Sequence, residues 1–171
     1  MMLKILNKNL FLLCMLIIYS CNHVKYSFTG ASIPPEVQTF SVNYFPATAS
    51  LAPPTLSQSF TEAVKDVFLS QTRLNLVSDQ GDLQFEGNIT GYDVSPVGVT
   101  GNEIAAKNRL KITVFVKFTN TKDESASYES SFSRFFDFDN TQELTTVEDE
   151  LIEEINAQLV QDIFNKAVGD W

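Results

Sequence analysis

Apolar and polar positions alternate most regularly between Arg109 and Phe118. Leu110, Ile112, Val114, Val116 and Phe118 fall on one side; Arg109, Lys111, Thr113, Phe115 and Lys117 fall on the other. A period of two predicts a strand with one buried face. Asn120–Ser125 is polar and reads as a hairpin turn, and Tyr128–Phe138 reads as an aromatic strand antiparallel to its predecessor. Upstream, Thr39–Phe45 alternates with Phe40, Val42 and Tyr44 on one face, and Pro46 ends it. Leu74–Val77 is a short strand. In the next one, Leu83, Phe85 and Ile89 share a face with Gly87 and Gly91. A glycine inside a strand marks a bend, a bulge or the close approach of another backbone. Pro96–Glu103 reads as a loop rich in turn residues.

Two segments change period. Leu56, Phe60, Ala63, Val64, Val67 and Phe68 form a stripe at helical spacing, and Thr55-Leu56-Ser57-Gln58 predicts a capping box at its start. Val147, Leu151, Ile155, Leu159 and Ile163, widened by Ile152, Val160, Phe164 and Val168, predict a longer helix. Thr145-Thr146-Val147-Glu148 predicts its capping box, with Glu148, Asp149 and Glu150 in a first turn where the helix dipole favours acids. The order strand, helix, strands, helix gives an α+β fold class. Two helices cover one face of a mainly antiparallel sheet of about four to five strands, and the other face stays free.

The N-terminus has a different pattern. Lys4 and Lys8 precede an apolar run from Leu10 to Ile18, and Ile18-Tyr19-Ser20-Cys21 follows. A basic start and a short apolar core make residues 1–20 a signal peptide, since a bilayer span needs about 20 apolar residues. The last four residues resemble a bacterial lipobox, which makes Cys21 the lipidation site and residues 21–38 an acylated tether. Residues 39–171 then form a single domain. Each buried acyl CH₂ contributes about 0.8 kcal/mol, so two or more chains anchor stably. With Cys14 removed and Cys21 acylated, no thiol is left for a disulfide.

Charge narrows the function. The chain carries a formal net charge of −9, and loss of the signal removes two lysines and no acid. That sign opposes nucleic acid and anionic membrane surfaces. Against this background Lys107, Arg109, Lys111 and Lys117 form a basic strip with Phe115 among them. Charges two residues apart on one strand face lie about 7 Å apart, a spacing suited to a bisphosphorylated or acidic-sugar ligand. Two readings stand: a solvated strand surface, or a face for phosphates or for acidic residues of a partner. Arg134 shares the register of Tyr128, Phe132 and Phe136, so alternation points it inward. It then needs a carboxylate partner, or a bulge shifts the register.

Catalysis has little to stand on. His23 is the only histidine and lies in the tether. The acids at Glu148–Glu150 and Glu153-Glu154 fit an outward helix face, and Asp137-Phe138-Asp139-Asn140 lacks the spacing of a Ca²⁺ loop. The inventory asks for no cofactor and no metal.

Several segments, taken in order, resemble the LptE family of outer-membrane lipoproteins that assist lipopolysaccharide assembly. They are Tyr26–Pro35, Tyr44-Phe45-Pro46, Pro54–Gln58, Gly81–Gly87 with Ile89–Tyr92, Asn108–Ile112, Phe132-Ser133-Arg134 and Asp162–Ala167. The resemblance covers nearly all of the mature chain. It implies two helices on a sheet and a non-covalent partner, the outer-membrane β-barrel LptD, in whose lumen the lipoprotein sits as a plug. It also implies a part in delivering lipopolysaccharide to the outer leaflet, and an outer-membrane location with the body facing the periplasm or the lumen. The competing reading is a free-standing periplasmic lipid- or glycan-binding lipoprotein with an enclosed apolar pocket. A hydrolase is the third, and it lacks a convergent nucleophile and base.

Overall fold

A computed structural model of the protein describes residues 33–98 and 107–169. The signal peptide, Cys21, most of the tether, the end of the Pro96–Glu103 loop and Trp171 lie outside the described residues. Five strands form one mixed sheet in the order β2-β1-β3-β4-β5. They are β1 (Thr39–Val42), β2 (Asn75–Leu76), β3 (Leu83–Val97), β4 (Lys107–Asn120) and β5 (Tyr128–Asp139). β1 runs parallel to both its neighbours, and β3, β4 and β5 are antiparallel. Helix α1 (Pro54–Gln71) links β1 to β2, and α2 (Leu144–Val168) follows β5. The α+β architecture predicted from the pattern is the one observed. Among the described residues, no helix is long and apolar enough to cross a membrane.

The alternation in β4 translates directly into burial. Leu110, Ile112, Val114 and Val116 are fully buried beneath the helices, while Lys111 and Lys117 are exposed. An aromatic chain holds the two layers together. Phe68 of α1 packs on Phe40 of β1, Phe85 of β3 and Phe164 of α2, with ring centroids 5.5, 4.6 and 5.1 Å away. Phe85 continues to Phe118, and Phe118 to Tyr128.

Several local expectations need correction. β1 stops at Val42, so Tyr44 is 58% exposed and Phe45 fills the core instead. The backbone leaves the ladder because α1 supplies other acceptors. Thr61 Oγ1 takes the Phe45 N–H at 3.1 Å, and Ser57 Oγ takes that of Ala47 at 2.9 Å. Phe45 then lies over Gly87, where a Cβ would sit 2.7 Å from its ring and 2.0 Å from the Phe115 carbonyl oxygen. That is the close backbone approach the glycine announced. Gly91 does not share the apolar face. An irregularity between Ile89 and Gly91 inserts one residue, so Tyr92 turns inward and pairs with Ile112. The strand then runs on to Val97, past the predicted start of the loop at Pro96.

Neither capping box forms. α1 starts at Pro54 with Pro53 as its N-cap, which places Thr55 inside the helix. α2 starts at Leu144 without a side-chain cap, and its first turn carries no acid. Glu148 sits one turn later and accepts a hydrogen bond from the Tyr92 hydroxyl. Burial is the main cause that raises the Tyr92 phenol above its ordinary range, and this bond adds to it.

Asp82 closes the start of the sheet. Its carboxylate accepts from the Gln38 and Thr39 amides and from Thr39 Oγ1, and Lys122 pairs with it at 2.9 Å. The Gln38 amide is the largest cause, and Lys122 the next, that hold its pKa well below the usual carboxylate range. A depressed folded-state pKa stabilises above the unfolded value, near pH 4, and that stability is lost as pH falls. Asp82→Asn should therefore melt below the parent chain at neutral pH. The gap should close progressively below about pH 4 in thermal melts across a pH series.

Candidate binding face

The sheet face away from the helices carries the predicted strip. β4 is central there, with β3 and β5 on either side, so each basic residue has two cross-strand neighbours. Register decides what those neighbours are. Arg109 lies between Ser95 and Asp137, Lys111 between Asp93 and Phe135, Lys117 between Glu86 and Glu129, and Lys107 beside Asp139.

Arg109 makes a two-pronged pair with Asp137. Its Nε and Nη2 donate to the two carboxylate oxygens at 2.7 and 2.9 Å. Its guanidinium also stacks 3.7 Å from the centroid of Phe135. The pairing holds Asp137 below its ordinary pKa and raises that of Arg109, with the hydrogen bond as the main cause in both. Lys117 pairs with Glu86 at 3.6 Å. Hydrogen bonds from Thr141 hold Asp139 below its ordinary pKa, and the charge of Lys107 adds a smaller pull in the same direction. Lys111 has no ion pair among the described residues. Phe115 is half-buried between Asn88 and Ser131.

All five predicted residues thus share one face, and that face is a lattice of alternating charge. The missed members are Glu86, Asp93, Glu129 and Asp137 on the flanking strands, and Phe135. The hairpin offered a signal for Asp137. Folding the chain about the polar turn near Asp123 sets Arg109 opposite Asp137.

Arg134 resolves as expected from its register. It points to the helix side and finds a carboxylate, with Nε and Nη2 donating to Asp162 of α2 at 2.6 and 2.7 Å. It stays 46% exposed, so the pair lies at the margin of the helix layer rather than in the core. Lys166 joins the same seam, donating to Ser130 Oγ at 3.1 Å and lying over the Tyr128 ring.

The sequence profile of the LptE lipopolysaccharide-assembly family matches residues 37–167. The chain belongs to this family. The match spans β1 through nearly all of α2, so it covers both the sheet that presents the charge lattice and the helices behind it. Comparison with curated proteins finds no match. Among solved structures, a minor lipoprotein from Acinetobacter baumannii is 13% identical, with a TM-score of 0.51 over 77% of this chain and 92% of that one. Rare lipoprotein B from Shewanella oneidensis is also 13% identical, with a TM-score of 0.50 over 75% and 92%. At such identities these likenesses concern the fold, and the LptE assignment rests on the sequence profile.

Proposed function

We propose that this LptE-family chain is anchored in the outer membrane through acylated Cys21 and plugs the lumen of the barrel LptD. There it stabilises the barrel and helps deliver lipopolysaccharide to the outer leaflet, a non-enzymatic role. The observation that carries the proposal is the family match combined with an open, charge-alternating sheet face. A barrel lumen is polar and water-lined. A surface on which Asp137 pairs Arg109 and Glu86 pairs Lys117 meets such a wall with those charges already balanced.

In this reading Lys107, Arg109, Lys111, Phe115 and Lys117 form the contact face. Lys111 and Lys107 are the cations best placed for acidic lumen residues or lipopolysaccharide phosphates, because Asp137 already holds Arg109 and Glu86 holds Lys117. An anion reaching those two must share the cation with a carboxylate. The test is co-purification from membranes solubilised in mild detergent, using a tagged chain with Cys21 intact. A large β-barrel in roughly equal amount is the expected result. A clean preparation without one, from cells that express such a barrel, would sink the proposal.

A further inference from the structure

Among the described residues β5 is the outer edge of the sheet, and it is long and regular. It is 12 residues long and pairs with β4 without a register shift from end to end. Proteins blunt exposed edges with prolines, bulges, lysines or short strands. β5 has no proline, lysine or bulge. Its one cation, Arg134, is committed to Asp162 on the helix side. Ser130, Ser131 and Ser133 present only small side chains along the middle. Phe135 and Phe136 follow, 47% and 40% exposed on opposite faces of the strand. A surface hollow of about 470 Å³ lies along this stretch, lined by Lys107, Ser133, Arg134, Phe135, Phe136 and Gln158 among others.

We infer that the β5 edge is a docking site for an extended, basic segment of another polypeptide, which adds to the sheet as a further strand. Backbone hydrogen bonds to the unpaired side of β5 would supply affinity, and Phe135 and Phe136 would clamp alternate side chains from the two faces. Charge selects the occupant. Glu129 stands at one end of the edge and Asp139 at the other, Asp137 being held by Arg109, within a chain of net charge −9. A second copy is disfavoured by the same residues. An antiparallel self-pairing that matches most of β5 sets Glu129 of each copy beside the Asp137–Asp139 end of the other, and like charges opposite one another destabilise a sheet. A closed barrel wall offers no free strand, so the inference stands apart from the plug reading.

The test uses the full chain in detergent and a synthetic twelve-residue peptide alternating lysine and threonine with valine and phenylalanine. Two further versions carry N-methyl groups on one or the other alternate set of backbone amides, which leaves the charge and the side chains in place. Saturable binding is expected, with new hydrogen-exchange protection confined mainly to Tyr128–Asp139. Methylating one of the two sets should weaken binding at least about tenfold, because alternate amides of an added strand face its neighbour. Equal binding by all three peptides would reduce the contact to charge attraction and overturn the inference. Absence of binding, or protection elsewhere, overturns it too. So does a concentration-dependent dimer protected along β5, which would make a second copy the occupant.

Discussion

Gly87→Ala should destabilise the protein by about 3 kcal/mol or more, well beyond the usual effect of adding one methyl group. The added carbon would meet the Phe115 carbonyl oxygen at 2.0 Å and the Phe45 ring at 2.7 Å. The first is backbone in the neighbouring strand, so relief requires β3 and β4 to part. The second holds Phe45 in the core against Phe60, at a ring separation of 5.2 Å. A shift of either would disturb the segment where the chain leaves β1 for α1. For a domain of this size the melting temperature should fall by roughly 10 °C. Gly98→Ala supplies the control, since none of the described residues lies within 4 Å of the place its methyl group would take. Its melt should match that of the parent chain. If the Gly87 variant melts like the Gly98 variant, the close approach of β3 to β4 is wrong.

The reach and the limits of the sequence pattern come from one property of strands. Within a strand the period of two fixes faces, and β4 was legible residue by residue for that reason. An extra residue at Thr90 or an early exit after Val42 inverts the assignment beyond it. Tyr92 and Phe45 thus took places that alternation gave to Gly91 and Tyr44. The helix stripes were legible because they rest on many positions. The helix starts were not, because Pro53-Pro54 and Glu143-Leu144 set them ahead of the Thr-containing boxes.

The candidate face divides in the same way. That Lys107, Arg109, Lys111, Phe115 and Lys117 share a side of β4 follows from one strand alone. That Asp137 and Glu86 neutralise two of them depends on which strands flank β4 and in what register, and alternation carries neither. Arg134 lies between these cases. Its inward register was legible and demanded a carboxylate, but only the packing of α2 on β5 names Asp162. The exposure of Phe135 and Phe136 likewise follows from β5 being last in the sheet order, which no periodicity contains.

Phe68→Ala is expected to cost about 3–5 kcal/mol, the range for removing a buried aromatic side chain. Phe68 is fully buried and touches three aromatic partners that belong to β1, β3 and α2. Truncation therefore opens a cavity where both helices meet the sheet, and no single element can close it by moving alone. Leu69, the next residue on the helix, is 48% exposed, and Leu69→Ala should change stability by no more than about 0.5 kcal/mol. Denaturant melts of the two variants separate core packing from helix propensity, which the two substitutions alter only slightly. A double variant with Phe164→Ala adds a sharper condition. The two rings lie 5.1 Å apart, so once one is gone the other has lost part of its packing. The combined loss should fall short of the sum of the single losses by at least about 0.5 kcal/mol. Strict additivity would mean that α1 and α2 contact the sheet independently. The charge-alternating face would then be backed by two separate helices instead of one continuous aromatic layer.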